Sequence, residues 1–337
     1  MTGAWPLARA LAHPATTAGL DAAGWTALIT MARAEQLIGT LALRLDGLPM
    51  PASVARILED ARGSAEHGRR AALWEAKMAR RALAPLGCAV VLLKGTAFAA
   101  AGLLAGRGRS IGDLDILVPR ADLDAVEAAL LGAGWEWVKP DPYDDAYYRR
   151  WMHELPPLIH RERDRMIDVH HTILPPTARP TPDADALIAA RVELGNGLSV
   201  LNSNDMIVHA DAHLFADGDL AGGLRNLWDI RCLVEEFGTE GLALRAAHHG
   251  LAREVARALR LVAIVFDDGK ARGIDRAYVR RLLARDGWGR PTRPFTRFAF
   301  YVRSHWLRMP PAMLARHLWI KWRKPASSGR LPSSSRA

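Results

Sequence analysis

The sequence predicts an α+β fold: a small mixed β-sheet core, α/β-like in the order of its elements, flanked by N-terminal and C-terminal helical regions. Helical periodicity dominates both ends of the 337-residue chain, whereas the middle contains short β-branched apolar runs separated by turn residues. Strands that alternate with helices indicate a layered sheet. These signals divide the chain into a helical region at 1–85, a sheet core at 86–175, a helical region at 183–320 and a disordered basic tail at 321–337.

The N-terminal region is predicted to consist of amphipathic helices. Residues 5–45 have helical periodicity that is interrupted at Pro14 and Gly24. Residues 54–83 are predicted to form one long helix or two, because Arg and Glu occupy the exposed side and Pro85 lies just beyond the last turn.

The core is predicted to contain five short strands, at 89–93, 114–118, 135–138, 156–161 and 165–170. One helix is predicted between the first two strands, at 97–104, and another between the second and third, at 122–131. The last two strands are separated by a charged turn and are predicted to pair as an antiparallel hairpin.

The C-terminal region follows a proline-rich linker at 175–182 and is predicted to be mainly helical, with helices at 204–217, 223–237, 240–266 and 276–285. From Trp322 onward Ser, Pro, Gly and Arg dominate the sequence. This composition is typical of a disordered segment, and we assign the tail no catalytic part.

Composition indicates a folded protein and excludes several classes. Hydrophobic residues make up 50% of the chain, yet no uninterrupted apolar run approaches the ~18 residues of a membrane span. Arg9 and His13 fall where a signal peptide needs its apolar region, so we expect a cytoplasmic location and no membrane insertion. Two cysteines are too few for a disulfide framework or a cysteine metal cluster. The net charge of +9 suits an acidic partner, although the charge is widely scattered.

Lys94, Gly95 and Thr96 are the first candidates for chemistry. They lie between an apolar strand and a predicted helix, whose first backbone N–H groups have no partner within the helix. Gly95 has no side chain and lets a phosphate approach these groups closely, while Lys94 and Thr96 can add a charge and a hydroxyl donor. The turn therefore predicts a phosphate-sized anion site.

Asp113, Asp115 and Asp168 are the second set of candidates. Asp113 and Asp115 begin the strand at 114–118, and a strand period of two residues directs both side chains to one face. Asp168 lies inside a later apolar strand, where an unpaired carboxylate would be costly. Three carboxylates from two strands are what a two-metal site needs, and Mg²⁺ prefers such oxygen ligands.

The order of these motifs resembles the nucleotidyltransferases of the DNA polymerase beta-like superfamily, in particular a bacterial group known only as uncharacterised nucleotidyltransferases. The resemblance covers residues 85–235 and rests on short motifs along the chain. They are Leu93-Lys94-Gly95, Arg109-x-x-Gly112-Asp113-x-Asp115, Gly134-Trp135, Ile167-Asp168-Val169-His170, Asp205-x-x-x-His209-x-x-x-His213 and Leu224-Arg225-Asn226-Leu227-Trp228-Asp229.

The resemblance implies a mixed-sheet core that binds an NTP together with Mg²⁺, as two ions for which Mn²⁺ can substitute. Matched by position, the turn at 94–96 corresponds to the superfamily's glycine turn. Asp113 and Asp115 correspond to its paired metal carboxylates, and Asp168 corresponds to its third carboxylate. The superfamily turn is usually Gly-Ser or Gly-Gly, so a lysine before a single glycine is a departure from the pattern.

Other residues near these motifs have two interpretations each. Arg109 either neutralises a triphosphate or pyrophosphate, or is a solvated loop arginine. His170 shares a strand face with Asp168 and either contacts substrate, orients the carboxylate or accepts a proton, or is a buried structural histidine. His209 and His213 have a spacing compatible with zinc, but packing of their helix against the sheet is the better account, because the Glu of His-Glu-x-x-His is absent.

Two further groups are expected outside the centre of the site. His153 and His160 are expected nearer its rim. The tryptophans at 135, 137, 151 and 228 could stack on a base, but tryptophan at helix or strand spacing more often belongs to a core.

Three functions are compatible with these patterns. The first is Mg²⁺-dependent transfer of a nucleoside monophosphate from an NTP to a hydroxyl or phosphate acceptor, which can be a small molecule, a sugar, a peptide or an RNA end. The alternative is a non-catalytic nucleotide-binding regulator, or an accessory protein of a biosynthetic pathway, on the same fold. Nucleic-acid binding driven by the positive charge is the third, but neither a basic helix nor a recognised motif supports it.

Overall fold

The protein is described by a computed structural model that covers residues 3–138, 142–216, 219–308 and 319. The predicted tail at 321–337 lies outside the described residues. Within the described ranges, helices surround one seven-stranded mixed sheet, which confirms the predicted α+β class. None of the helices in these ranges is long and apolar enough to cross a membrane.

The N-terminal region contains α1 (Trp5–Ala12), α2 (Ala22–Ala34), α3 (Ile38–Arg44) and α4 (Ala52–Leu83). The interruption predicted at Pro14 is confirmed, because the chain there forms a short 3₁₀ turn. The interruption predicted at Gly24 is wrong. Gly24 lies in the first turn of α2, where its N–H donates to Oδ1 of Asp21 over 2.8 Å and caps the helix.

The core contains β1 (Val91–Leu92), α5 (Lys94–Ala100), β2 (Leu114–Leu117), α6 (Leu123–Gly132), β3 (Trp135–Trp137), α7 (Pro142–Trp151), β4 (Leu158–His160) and β5 (Met166–His170). All five predicted core strands are present. The first helix begins at Lys94 rather than Ala97, because Lys94 adopts a positive φ of 48° directly after the extended Leu93 and starts the helix without a linker.

The C-terminal region contains α8 (Ala184–Ala189), β6 (Val192–Glu193), β7 (Ser199–Val200), α9 (Ser203–Ala216), α10 (Gly223–Phe237), α11 (Leu242–His248), α12 (Ala252–Phe266), α13 (Asp275–Leu282) and α14 (Pro294–Arg308). The single helix predicted at 240–266 is wrong. Gly250 has a φ of +69°, and the N–H of Leu251 donates back to the carbonyl of Ala246 over 2.7 Å, which ends α11 before α12 begins.

The sheet has the strand order β3-β4-β5-β2-β1-β7-β6. β4 and β5 form the predicted antiparallel hairpin, and β1 and β2 are also antiparallel although a helix lies between them. β2 and β5 run parallel, with Asp115 opposite Asp168. β7 pairs with β1, so a segment from the mainly helical C-terminal region extends the core sheet.

The C-terminal helices also cover the edge of the sheet where β1 ends. α9 and α10 pack against each other, and α10 packs on the 3₁₀ turn Leu104–Gly106 that follows α5. The backbone N–H of Leu104 donates to Oε2 of Glu236 in α10 over 2.9 Å. This packing brings side chains of α9 and α10 next to the loop that leads into β2.

Candidate active site

The three predicted carboxylates lie at the start of β2 and on its neighbour β5. Parallel pairing places Asp115 directly opposite Asp168, and strands paired in this way lie about 4.8 Å apart. Asp113 precedes β2 by one residue and is exposed, whereas Asp115 is buried. The register of β2 with β5, which could not be predicted from the sequence, brings Asp168 next to Asp115.

Lys94 is paired with the middle carboxylate. Its Nζ donates to Oδ1 of Asp115 over 2.6 Å, and Nε2 of His170 lies 3.1 Å from the same oxygen. Burial alone would raise the pKa of Asp115, but the Lys94 ammonium and the His170 imidazole hold that pKa well below its usual range. Asp115 is therefore an anion held between two positively polarised groups.

Asp168 has the opposite electrostatic environment. Burial raises the pKa of Asp168 to about 7, and the negative charges of Asp115 and Asp113 act in the same direction against a smaller opposing effect of Lys94. Asp115 is therefore readily ionised, whereas Asp168 resists ionisation unless a cation binds nearby.

A cavity of about 220 Å³, here called the site cavity, opens at Asp113 and Asp115. Asp113 and Asp115 line one part of it, and Lys94, Arg109 and Arg225 line another. Burial lowers the pKa of Arg225 to about 10, and the neighbouring Arg109 adds to this effect. Two arginines and a lysine along one wall give the cavity the hydrogen-bond donors that a polyanion needs.

Arg109 is fixed in place rather than solvated. Its side chain is 8% exposed, its Nε donates to Oδ2 of Asp229 over 3.0 Å, and its guanidinium lies 5.7 Å from the ring centre of Phe98. The position of its guanidinium also accounts for a glycine at residue 95, because a Cβ on Gly95 would collide with Nη1 of Arg109. Gly95 is needed here for the close approach of an arginine to the start of α5.

A second cavity of about 380 Å³, the adjoining cavity, lies next to the site cavity. Gln36, Ser110 and Ile111 line both cavities, and the adjoining one is otherwise formed by α2, α3, α4 and Gly108. Gln36 has a φ of 56°, a backbone conformation that L-residues other than Asn and Asp rarely adopt. Together the two cavities fall within the range of about 300–1,000 Å³ that is usual for small-molecule sites.

Three of the predicted site residues do not line the site cavity. Asp168 lies on β5 opposite Asp115 and is not part of the cavity wall. Thr96 is buried in α5 and does not line it, and its hydroxyl has no hydrogen-bond partner among the described residues. His170 is buried behind Asp115 and contacts it. His153, expected nearer the rim than the centre, does not line the cavity either: the segment around residue 154 pairs with β5 and places the His153 ring 5.1 Å from His170.

His209 and His213 face the site from α9. Both line a small cavity with Lys94, Phe98 and Asp229, which agrees with packing of α9 next to the core. Burial lowers the pKa of His209 well below its usual value, and Lys94 and His213 reinforce that shift. His209 is therefore a neutral imidazole.

His160 lies elsewhere, in contact with Trp135 and Arg163.

The three aspartates suit a hard divalent cation by their chemistry. Carboxylate oxygens are the ligands that Mg²⁺ prefers. Burial and the negative charges of Asp115 and Asp113 together raise the pKa of Asp168, and a bound cation would offset that shift. The three aspartates do not form a group whose ligand oxygens all lie within 4.8 Å of one another. Among the described residues, the group of three whose ligand atoms all lie within 4.8 Å of one another is His153, Glu154 and His170.

Three residues at the site were not assigned to it from the sequence. In the sequence, Arg225 and Asp229 belong to a motif of the family resemblance that carries no role at the site, and Gln36 belongs to no motif. Asp229 pairs with Arg109 across 120 positions of the sequence, and the carbonyl of Ser110 accepts a hydrogen bond from Nη1 of Arg225 over 3.0 Å. The motif Arg225-Asn-Leu-Trp-Asp229 is one helical turn long, and that spacing was the available signal.

Comparison with known proteins agrees with this geometry. No curated protein matches the chain. A protein-family model described as "Uncharacterised nucleotidyltransferase" matches residues 21–267, which include the sheet, the three aspartates and the helices α9 and α10. Because the match covers most of the chain, the protein belongs to this family of uncharacterised nucleotidyltransferases.

Proposed function

We propose that the protein transfers a nucleoside monophosphate from an NTP to a hydroxyl or phosphate acceptor and releases pyrophosphate, with the core arranged as in the DNA polymerase beta-like superfamily. The observation that carries the proposal is the parallel pairing of β2 and β5. It sets Asp115 opposite Asp168 beside a cavity lined by Lys94, Arg109 and Arg225. Acids next to a polyanion-binding surface are the combination that nucleotidyl transfer requires.

The cationic side of the site cavity would hold the triphosphate. Arg109 is oriented by Asp229, and Arg225 is oriented by the Ser110 carbonyl, so both guanidinium groups are positioned before a ligand binds. Lys94 supplies a mobile point charge, because its long side chain can turn from Asp115 to a phosphate. Arginine and lysine donors would thus neutralise the charge that develops on the departing pyrophosphate.

The acidic side would hold Mg²⁺, through Asp113, Asp115 and Asp168. When bound, the metal would supply positive charge to the reacting phosphate and lower the pKa of the attacking oxygen. A carboxylate oxygen of Asp168 is the candidate to receive the acceptor's proton. A bond forms between the acceptor oxygen and the α-phosphorus, the α–β phosphoanhydride bond breaks, and pyrophosphate carries away that electron pair.

The proposal is tested with two labels. The purified protein is incubated with each of the four NTPs, labelled on the α- or on the γ-phosphate, together with Mg²⁺ or Mn²⁺ and one class of acceptor at a time. The α-label is expected on the acceptor and the γ-label in pyrophosphate. Transfer of the γ-label to the acceptor would instead indicate a kinase-type reaction and contradict the proposal.

The ion pair between Lys94 and Asp115 favours a second candidate. An ammonium group at 2.6 Å from a carboxylate supplies the positive charge that a metal would otherwise bring. A nucleotide-binding regulator could use such a site to hold an NTP without turnover. This alternative predicts tight NTP binding by calorimetry together with no transfer of label to any acceptor class.

A further inference from the structure

His153 and Glu154 lie next to His170, on the side of its ring opposite Asp115, and the three residues form a group of potential metal ligands. Oε2 of Glu154 lies 3.5 Å from Nδ1 of His170 and 3.9 Å from Nε2 of His153. All three ligand atoms are within 4.8 Å of one another. We propose that His153, Glu154 and His170 bind a divalent transition-metal ion, Zn²⁺ by the chemistry of the ligands, at a site separate from the three aspartates.

The backbone holds these ligands in place. The chain before β4 pairs with the end of β5, where Glu154 and His170 form an antiparallel bridge. The N–H of His171 donates to the carbonyl of His153, and the N–H of Leu155 donates to the carbonyl of Val169, each over 2.9 Å. Backbone pairing on both sides of the bridge fixes the Cβ atoms of His153, Glu154 and His170 before any ion binds. Binding therefore costs little conformational entropy of the backbone.

The spacing fits a small transition-metal ion. Zinc bonds of about 2.0–2.2 Å in tetrahedral geometry place neighbouring ligand atoms about 3.4 Å apart. The two distances to Oε2 of Glu154, 3.5 and 3.9 Å, are close to this value, and the two histidines must approach each other from a separation of at most 4.8 Å. Two imidazoles and one carboxylate suit zinc and related ions, whereas Mg²⁺ prefers oxygen ligands. Both histidines are buried, which protects such a site from competing ligands.

The site has an approach from solvent. Glu154 and Leu155 line a cavity of about 210 Å³ together with residues of α6 and α7. Glu154 is the most exposed of the three ligands, with 20% of its side chain accessible, compared with 9% for His153 and 2% for His170. Glu154 is the one of the three ligands that lines this cavity, so an ion would first meet its carboxylate there, and the cavity has room for a water as the fourth ligand.

His170 would connect the metal to the candidate active site. A metal on Nδ1 leaves Nε2 carrying the proton, and Nε2 lies 3.1 Å from Oδ1 of Asp115, so His170 donates a hydrogen bond to that carboxylate. Metal-bound histidines usually donate their second N–H to a carboxylate or carbonyl, which fixes the orientation of both groups. His170 is in this account a positioning residue that holds Asp115 in one rotamer.

Metal content tests this proposal independently of nucleotidyl transfer. Protein purified with a tag free of histidine is stripped with EDTA, dialysed and titrated with Zn²⁺ by calorimetry, alongside His153→Gln, Glu154→Gln and the exposed-histidine control His67→Gln. We expect one Zn²⁺ per wild-type and His67→Gln chain, and affinity at least tenfold lower in the other two variants. X-ray absorption of the wild-type complex should detect two imidazole ligands.

Folding defects are separated from ligand loss by thermal unfolding. In EDTA, Glu154→Gln should unfold close to the wild-type temperature, because it preserves side-chain shape. Added Zn²⁺ should raise the unfolding temperature of the wild type and of His67→Gln by more than it raises that of His153→Gln or Glu154→Gln. Millimolar Mg²⁺ should not displace the Zn²⁺. Absence of stoichiometric Zn²⁺ in the wild type, or wild-type affinity in both His153→Gln and Glu154→Gln, would overturn the proposal.

Discussion

The Nζ atom of Lys94 lies 2.6 Å from Oδ1 of Asp115, and Lys94 itself has a left-handed backbone conformation at the first position of α5. This conformation allows the chain to pass from β1 directly into a helix and turns the lysine toward the neighbouring strand. Backbone strain of this kind, about 1–3 kcal/mol, is retained at functional sites when surrounding structure enforces it. The contact links the anion-binding and the acidic sides of the site cavity.

Replacing Lys94 with methionine should weaken NTP binding about tenfold or more, because one charge-assisted phosphate contact is lost. The change also leaves Asp115 buried without its cation. Added Mg²⁺ should therefore raise the unfolding temperature of Lys94→Met by more than it raises that of the wild type. Calorimetry and thermal unfolding measure the two effects, and Lys77→Met, on the exposed side of α4, is the control. Equal NTP affinity in Lys94→Met and Lys77→Met would remove Lys94 from the proposed site.

Gly95→Ala should damage the anion-binding side through Arg109. The new methyl group would meet the Arg109 guanidinium, which cannot move without breaking its ion pair with Asp229. Overpacking of this kind costs about 1–3 kcal/mol of the free energy of unfolding, and NTP affinity should fall with it. Gly63→Ala is the matched control, since no atom lies within 4 Å of its added Cβ and alanine favours the interior of α4. A Gly95→Ala protein as stable and as tight for NTP as Gly63→Ala would contradict the account of this turn.

Asp229→Ala should lower the free energy of unfolding by about 3–5 kcal/mol, because it leaves the buried charge of Arg109 uncompensated. Asp267→Ala is the comparison, because it removes the ion-pair partner of Arg231, a residue of the same helix α10. The Asp267 side chain is 50% exposed, so a loss of about 0–1 kcal/mol in the free energy of unfolding is expected. Urea unfolding of both variants measures the contrast. Similar losses in the two variants would mean that the Arg109–Asp229 pair is no more important than a surface ion pair.

The fold class and the core strands could be predicted from local pattern, because each core strand is a short apolar run between turn residues. β6 and β7 could not, since two-residue strands such as Ser199–Val200 have too few positions to display alternation. The antiparallel pairing of β1 with β2 also lay outside local information. It depends on how the loop at 101–113 returns, and that loop is packed against α10.

The candidate site was predictable where its residues are adjacent in sequence or share a recognisable motif. Asp113 and Asp115 are two residues apart, and Asp168 belongs to an apolar strand in which a charge is conspicuous. The partners of those residues were not predictable. The sequence could not decide whether Arg109 is a phosphate-binding residue or a solvated loop arginine, because its acid, Asp229, comes 120 residues later on a helix whose position is set by tertiary packing.

Asp211 should make stability depend on pH. It is fully buried in α9, both carboxyl oxygens lack a hydrogen-bond partner among the described residues, and burial raises the pKa of Asp211 well above its usual value, with Glu254 of α12 acting in the same direction. An acid whose pKa is raised by folding does not lower the free energy of unfolding at a pH below its unfolded-state pKa of about 4, because it is protonated in both states. As pH rises above that value the folded state loses about 1.4 kcal/mol per pH unit until the folded-state pKa is passed.

The Asp211→Asn variant should therefore unfold at higher urea concentration than the wild type at pH 7, and the difference should shrink toward zero near pH 4. Asp60→Asn, on the exposed side of α4, provides the control for the same substitution at the surface. A stability difference that does not change between pH 4 and pH 7 would contradict the assignment of Asp211 as a buried, unpaired acid.

The central claim is that Asp168 completes a three-carboxylate site for nucleotidyl transfer, and the most direct measurement is the rate of pyrophosphate release from saturating NTP with Mg²⁺ and an active acceptor. Asp168→Asn is compared with Asp164→Asn, an exposed residue of the same hairpin whose φ of 53° asparagine tolerates well. Loss of several kcal/mol of charge stabilisation should slow Asp168→Asn by about a thousandfold or more, whereas Asp164→Asn should retain the wild-type rate. Equal rates in Asp168→Asn and wild type would contradict the claim.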